Sequence, residues 1–359
     1  MATIASDRLL PHDPTARARP WGHDMAIDLC ERATWDALAA ESDPGFFGRS
    51  DWLEAVCPAA GMEPRYVVVT ACGVPILRVG LAHRRRWGRE LVLSPPTAPY
   101  AGWAERLPDG LTPIEEEDRR HEVLQQLVKW CARETDFTRI AIPPDAPDIR
   151  PLIWSGWEPE LRYAYRIPAA AGARVSGDSR RHVGREAPDL VILRPEGRVA
   201  ADMLAVTLAA AFERAETGPP LPAAAWRGYL DAVARLPAVR VLAAVDARGE
   251  PHGAIVLARD TRRAYELLAG TTEAGSESHV GALLMRAALD EIGDVLPEVE
   301  VVGANASGIA LFRSGFSGAF VPYVAVSRAP LMRAEWAATG SPGLERRLGR
   351  AWLRMRRWA

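Results

Sequence analysis

VEVVGANASGIALFRSGFSG, residues Val299 to Gly318, contains a short apolar strand, a glycine turn with Asn305 and a short helix. Glycines at both ends of the turn permit a tight backbone reversal. Phe312 and Phe316 are four residues apart, so one helical turn would place both on the same buried face and point Arg313 away from it. A guanidinium there could donate to a phosphate, a carboxylate or a developing oxyanion. The alternative is two ordinary core phenylalanines and an arginine that pairs with a surface acid.

The order of elements before this stretch occurs twice along the chain. In each half, alternating apolar residues predict a hairpin and a third strand, and helical periodicity followed by another apolar run predicts a long helix and a further strand. The order predicts two similarly built α/β (α+β) units in tandem. In the first half the segments are 66–71, 75–82, 91–93, 116–134 and 138–142; in the second they are 239–245, 254–258, 264–269, 280–292 and 299–302.

Three motifs, in this order, resemble the Fem-type aminoacyl transferases and their tandem GNAT-like relatives. They are the segment Asp148 to Trp157 followed by Tyr163-Ala-Tyr165, the basic segment Ser179 to Ala187, and the closing Gly303-Ala-Asn305 with Phe312-Arg313-Ser-Gly-Phe316. The family ending is Phe-Lys-x-x-Phe-Gly; here Arg313 replaces the lysine and Ser317 the last glycine. The resemblance covers roughly residues 46–323. It implies two GNAT-like domains, each a mixed central sheet flanked by helices, with a cleft between the domains.

On this basis we divide the chain into four segments. Residues 1–24 form a Pro-rich leader, 25–168 an N-terminal GNAT-like domain, 169–330 a C-terminal GNAT-like domain, and 331–359 a basic amphipathic tail. The arginines and tryptophans of the tail could contact tRNA, an anionic membrane surface or an acidic partner. Alternatively, the tail packs on its own domain through Leu344, Leu348 and Trp352.

Composition excludes several classes of protein. The chain has 359 residues, 48% of them hydrophobic, and a formal net charge of −2, which argues against nucleic-acid binding by bulk electrostatics. The N-terminal residues do not form a secretory signal, and no apolar run approaches the roughly 18–20 residues that cross a bilayer. Four cysteines without CxxC spacing are interpreted as reduced core residues. We therefore expect a cytoplasmic protein without a metal site.

Amide formation from an activated ester or thioester needs a deprotonated amine, a positioned carbonyl and donors for the oxyanion, but no covalent nucleophile. The resemblance implies that Arg313 contacts the donor ester or the oxyanion and that Asn305 fixes the loop. Asp51 is the predicted proton acceptor, although an acid in a first helical turn also suits the helix dipole. The residues predicted to line the substrate site are Trp52, Tyr100, Arg180, Arg181, Arg214 and Phe312, with ordinary core or solvated positions as the alternative.

The acyl donor is a separate question. GNAT domains that use coenzyme A carry a glycine loop that opens a helix and holds the pyrophosphate. The corresponding residues here include Ser278, His279 and Gly281, which are the predicted donor-binding residues, but Glu273 and Glu277 would repel phosphate. The first half has an acidic run at 115–118 instead. The plain alternatives are Ser278 as a helix N-cap and His279 as a surface residue.

The resemblance therefore implies an N-acyltransferase without a tightly bound cofactor. The donor would be aminoacyl-tRNA, and the acceptor an amine on a small molecule or peptidoglycan precursor. One alternative is an acyl-CoA-dependent N-acyltransferase acting on a polysaccharide or secondary-metabolite amine. The other is a catalytically silent GNAT-like binding module.

Overall fold

The computed structural model describes residues 24–86, 88–146, 148–169, 189–303, 305, 307–316 and 318–328. Their strands form one mixed sheet in the order β1-β2-β3-β4-β6-β13-β7-β12-β11-β10-β9-β8, and β5 pairs with β3 outside that path. The strands are β1 (Met25–Leu29), β2 (Glu63–Ala71), β3 (Val74–Arg86), β4 (Arg89–Leu93), β5 (Gly102–Glu105), β6 (Phe137–Ile142), β7 (Glu158–Pro168), β8 (Val191–Leu193), β9 (Val239–Val245), β10 (Pro251–Arg259), β11 (Ala264–Thr271), β12 (Glu298–Val302) and β13 (Ala319–Arg328).

Helices cover both faces of the sheet. They are α1 (Arg32–Glu41), α2 (Ser50–Ala59), α3 (Pro113–Glu134), α4 (Arg150–Trp154), α5 (Gly197–Arg214), α6 (Ala223–Ala234), α7 (Glu273–Glu277), α8 (Val280–Gly293) and α9 (Ser307–Ser314). The longest, α3, begins with a capping box in which Thr112 and Glu115 bond each other's backbone, and Pro113 occupies the first turn. Its acidic run thus lies in the first turns of a well-capped helix.

The repeated order of the sequence is present in the sheet. An antiparallel group, β2-β3-β4, leads through α3 to β6, which is parallel to β4. A second antiparallel group, β9-β10-β11, leads through α8 to β12, which is parallel to β11. We call β4 with β6 the first parallel pair and β11 with β12 the second parallel pair.

The two parallel pairs are joined by strands that cross between the halves of the sequence. The last strand, β13, lies between β6 and β7 and is antiparallel to both, and β7 is antiparallel to β12. Because three successive antiparallel steps separate β6 from β12, these two strands run in opposite directions. The carboxyl ends of the two parallel pairs therefore lie at opposite edges of the sheet.

The hydrophobic core differs between the faces of the sheet. On one face a single cluster joins both halves, with side chains from α1, α2, α5 and α6. On the other face α3 and α8 cover separate clusters, one in each half. The halves therefore share a core on one face and remain separate on the other.

The element predictions agree with the structure within a few residues for both hairpins, both long helices and the strands of the two parallel pairs. The sequence did not predict β1 or the short edge strand β5. The cysteine interpretation is wrong in part: all four thiols are free and Cys57 and Cys131 are buried, but Cys72 is exposed at the hairpin turn, where its φ is +50°. The leader, the tail and the basic segment with Arg180 and Arg181 lie outside the described residues. The domain bounds stay a prediction.

Candidate functional site

The second parallel pair opens into a gap at its carboxyl end. β11 and β12 are paired only from Ala264 with Val299 to Glu266 with Val301. Beyond this point β11 continues along β10 as far as Thr271, whereas β12 ends at Val302. Gly303, with a φ of +93°, then turns the chain away from the sheet. We call the space between the diverging strands the second strand gap.

Arg313 extends from α9 to this gap. Its Nη2 donates to Oε1 of Glu266 at 2.6 Å, and both residues are buried, with 8% and 3% of their surfaces exposed. Its Nη1 is buried without a hydrogen-bond partner among the described residues. A Cβ at position 303 would lie 3.2 Å from this Nη1, so a glycine there makes room for the guanidinium. The gap thus holds a fixed cation with an unused N–H donor.

Phe312 and Arg313 lie on the opposite sides of α9 from those predicted. Phe316 is buried as predicted, but Phe312 is 41% exposed, and Arg313 does not project away from the core. α9 ends at Ser314, so Phe316 lies beyond it, and the buried carboxylate of Glu266 draws the guanidinium inward. Glu266 was not predicted as a site residue because it lies 47 residues away on another strand.

Asn305 lies next to the same turn. Its Oδ1 accepts a hydrogen bond from the backbone N–H of Tyr163 on β7 at 3.0 Å. Its side chain also hydrogen-bonds Tyr323 of β13. Asn305 therefore ties the turn after β12 to the two central strands.

The start of α8 forms another wall of the gap. The ideal Cβ position of Gly281 is 3.7 Å from the Phe312 ring and 3.9 Å from the methyl group of Thr271. Arg214 donates from Nη1 to the carbonyl of Thr271 at 2.7 Å and from Nη2 to its hydroxyl at 2.9 Å. The first turn of α8 contains no acid. Since the first N–H groups of a helix have no partners within it, this end of α8 suits an anionic group.

The other predicted donor-binding residues flank this helix start. His279 precedes α8 in a left-handed conformation with a φ of +56°, and Ser278 ends α7 and is exposed. Glu273 and Glu277 belong to α7, a separate five-residue helix, and not to the first turn of α8. The structure thus brings together Arg313, Asn305, Phe312, Gly281 and Arg214 around one gap.

Three predicted site residues lie elsewhere. Trp52 is completely buried, and its ring packs 4.9 Å from that of Phe46. Asp51 accepts from Arg49 at 2.9 and 2.7 Å; burial alone would raise the pKa of Asp51, but Arg49 and the N–H of Trp52 lower it overall. Tyr100 is buried and donates to Glu300 at 2.5 Å, and burial beside that carboxylate raises its pKa well above the ordinary value.

The first parallel pair diverges beyond Leu93 and Arg139, and the chain itself fills this first strand gap. The N–H of Ala141 donates to Oγ of Ser94 at 2.9 Å, and the N–H of Ala101 donates to the carbonyl of Ala141 at 2.8 Å. Beside this filled gap lies a cavity of about 410 Å³. Its lining includes Asp43, Glu105, Arg120, Asp145 and Arg262, residues that sequence reasoning missed because they come from segments far apart in the chain.

Within the described parts of the chain, no group of three or more His, Cys, Asp or Glu side chains is arranged to hold a metal ion. Nor do those residues include a helix with the length and apolar character that spanning a membrane requires.

Comparison with known proteins identifies the fold. No protein-family model matches the chain, and no curated protein sequence does. FemX matches with a TM-score of 0.61 at 9% identity, over 88% of this chain and 100% of that one. A tandem GNAT protein from the clavulanic acid biosynthesis pathway matches with a TM-score of 0.50 at 12% identity, over 85% and 98%. L-PGS from Bacillus licheniformis matches with a TM-score of 0.51 at 10% identity, over 84% and 93%.

The chain therefore has the tandem GNAT-like fold of Fem-type proteins, and the predicted fold class is confirmed. Identities of 9–12% establish shared architecture alone. A shared fold does not define an activity, which depends on the side chains of the site.

Proposed function

We propose that this protein is an N-acyltransferase that moves an aminoacyl group from aminoacyl-tRNA to an amine on a small molecule or peptidoglycan precursor. The reaction would take place at the second strand gap. The fold shared with FemX and with a tandem GNAT protein supports the general class, and the residues around the gap support the placement.

The observation that carries the proposal is the buried guanidinium of Arg313 with its unused Nη1. Glu266 holds the guanidinium of Arg313 in place, so the N–H groups of its Nη1 are oriented before any substrate binds. A preorganised donor in a site that excludes water stabilises negative charge on a carbonyl oxygen far better than a solvated one. Arg78 and Arg328 also have buried terminal nitrogens without a described partner, and what sets Arg313 apart is its place at the end of the second parallel pair beside Glu266.

In the proposed reaction the amine nitrogen attacks the ester carbonyl carbon, and negative charge develops on the carbonyl oxygen near Nη1 of Arg313. The C–O bond to the ribose then breaks, the amide forms, and the ribose hydroxyl leaves with a proton that the amine has lost. Asn305 keeps the turn beside Arg313 in place through Tyr163. Asp51 and Trp52 have no role in this reaction. Arg49 keeps the pKa of Asp51 low, which makes its carboxylate a weak proton acceptor, and Trp52 has no exposed surface for a substrate to contact.

The start of α8 would bind the phosphate of the donor. Gly281 lets a ligand approach the helix backbone closely, the exposed face of Phe312 offers a stacking surface, and Arg214 supplies positive charge at the end of β11. The same features favour acyl-CoA as the second candidate donor. Separation of Glu273 and Glu277 from the first turn of α8 removes part of the repulsion expected from the sequence.

The experiment offers the purified protein radiolabelled aminoacyl-tRNAs and, separately, radiolabelled acyl-CoAs, each with a cell extract as the source of amine acceptors. We expect label from aminoacyl-tRNA to appear in an amide product. In Arg313→Lys, which keeps the charge but loses the planar fork, we expect the rate to fall about 10²-fold or more. Arg227→Lys, an exposed arginine on α6, is the matched control and should retain the wild-type rate.

If label is transferred only from acyl-CoA, the acyl donor is acyl-CoA and not aminoacyl-tRNA. No transfer from either donor, together with retained binding of one of them, would identify a silent binding module. Equal rates for the wild type and Arg313→Lys would remove Arg313 from the reaction, provided that circular dichroism shows the variant folded.

A further inference from the structure

The cavity beside the first strand gap lies at the opposite edge of the sheet from Arg313. We propose that it binds a small aliphatic molecule carrying an ammonium or guanidinium group, as a second site that the proposed transfer reaction does not use. Its volume of about 410 Å³ falls within the usual range for small-molecule sites. This proposal does not depend on the proposed function.

The first observation is the chemistry of the walls. Five aromatic side chains line the cavity, and they pack against one another, with ring centroids 5.3 Å apart for Phe46 and Phe47 and 4.9 Å apart for Phe47 and Tyr265. A cation within about 6 Å of such ring faces is attracted by their negative electrostatic potential. The five are Phe46, Phe47, Tyr100, Trp103 and Tyr265.

The second observation is one acid of the wall, Asp43, that has no ion-pair partner among the described residues. Asp43 accepts from the N–H of Gly45 and from the hydroxyl of Thr261, both at 2.8 Å, and no described arginine, lysine or histidine lies within ion-pair distance of it. Asp260 is not part of the lining, and its carboxylate accepts four hydrogen bonds, from the backbone N–H groups of Phe46, Arg262 and Arg263 and from the Tyr265 hydroxyl. Neutral donors alone hydrogen-bond Asp43, and Arg49 and Arg78 act on it only from beyond ion-pair distance, so its carboxylate remains open to a cationic ligand.

The remaining charged groups of the wall are already paired. Arg120 donates to Glu105 at 2.6 Å, and Asp145 is held by Arg166 at 2.8 Å and Arg263 at 3.0 Å. Burial raises the pKa of Glu105 even though Arg120 opposes that shift, which indicates a poorly hydrated wall. Charge–charge interactions are stronger in such surroundings than in water.

An anionic ligand fits this site less well. It would need unused donors, and the described lining offers the single N–H of Trp103 Nε1 and one cation without an ion pair, Arg262, which is exposed. Arg262 should instead weaken the binding of a cation through repulsion. Removing the charge of Arg262 should therefore strengthen the binding of a cation and weaken the binding of an anion.

The test measures binding of cadaverine to the full-length protein by isothermal titration calorimetry, with 1,5-pentanediol as the neutral molecule of the same length. We expect saturable 1:1 binding of cadaverine that weakens with added salt, and no saturable binding of the diol. Asp43→Asn should weaken cadaverine binding about tenfold, because it removes the charge and keeps the hydrogen-bonding shape. Arg262→Ala should strengthen it severalfold.

Asp28→Asn, on the exposed face of β1, is the matched control and should bind cadaverine like the wild type. The proposal is overturned if the diol binds as well as the diamine, if cadaverine shows no saturation by about 10 mM, or if Asp43→Asn binds unchanged. It is also overturned if Arg262→Ala loses binding, since the site would then be anionic. Arg313→Lys should bind cadaverine like the wild type. The cadaverine result can therefore be interpreted even if Arg313 has no role in acyl transfer.

Discussion

The two parallel strand pairs have the same connectivity, but different groups occupy the gaps at their carboxyl ends. In the first, the loop from Ser94 to Ala101 fills the gap with its own backbone and one hydroxyl. In the second, no strand or loop bonds bridge the described residues beyond Glu266 and Val301, and a charged side chain with a spare donor occupies the gap. The first gap is thus closed by neutral hydrogen bonds of the chain itself, and the second holds a buried ion pair.

The largest effect should come from the charged pair of the second strand gap. Arg313→Met leaves the buried carboxylate of Glu266 without a cation, so we expect the free energy of unfolding to fall by about 3–5 kcal/mol. Adding Glu266→Gln should recover most of that loss. Ser94→Ala in the first gap removes one neutral hydrogen bond and should cost about 1 kcal/mol. Urea denaturation of the four proteins measures these differences, and equal losses for Arg313→Met and Ser94→Ala would contradict the contrast.

Glycine substitutions test packing at the two gaps. The Cβ of Gly102→Ala would lie 2.0 Å from the backbone Cα of Gly48, so we expect destabilisation of more than about 3 kcal/mol. Gly281→Ala meets nothing closer than 3.7 Å and lies in a helix, so we expect it to stabilise the fold by about 0.5–1 kcal/mol. Thermal unfolding separates the two outcomes. A stable Gly102→Ala would show that the first gap is not packed as tightly as described.

Two tyrosines provide a smaller test. Tyr100→Phe removes a donor from the buried carboxylate of Glu300, which keeps its bonds to Arg166 and Arg263, and should cost about 1–2 kcal/mol of stability. Tyr323→Phe loses its bonds to Arg162 and to Asn305 at the second gap, and because neither partner is a fully buried carboxylate, we expect a lower transfer rate with a smaller change in stability. Urea denaturation and the radiolabel assay, run on both variants, should therefore give opposite rankings. The same ranking in both would argue against separate roles for the two gaps.

The smallest effect concerns acid stability in the first half of the chain. Burial alone would raise the pKa of Asp148, but hydrogen bonds from Arg150 and His121 lower it from 3.8 to about 2. Between these values the unfolded chain binds more protons than the folded one, so this contribution is complete above pH 3.8 and is lost as the pH falls towards 2. Asp148→Asn should flatten the dependence of unfolding free energy on pH in that window. Parallel curves for variant and wild type would contradict the assignment.

Prediction from the sequence succeeded where the signal was local. Periodicity located both hairpins and the helices before β6 and β12, and glycine with Asn305 located the turn after β12. It failed for Phe312 and Arg313, whose positions depend on where α9 ends and on Glu266. It also missed β1, a strand of five residues that lies at the sheet edge and whose burial alternates only weakly.

The candidate site was predicted in part for the same reason. Gly281 contacts Phe312, and Arg214 bonds Thr271 at the end of β11, but Tyr100 is committed to Glu300, and Asp51 to Arg49. An acid early in a helix or a tyrosine in a proline-rich loop looks the same in sequence whether it faces a ligand or a structural partner. Only contacts across large sequence separations distinguish the two.

The sequence by itself determined the order of strands and helices, their repetition, and the turn that carries Asn305 and Arg313, because these follow from the periodicity and conformational preferences of neighbouring residues. The tertiary structure decided that β13 crosses to β6, that the two gaps face opposite edges, and that Arg313 is buried against Glu266. Those features depend on which distant segments pair, and pairing is settled by the burial of the whole sheet and the compensation of buried charge.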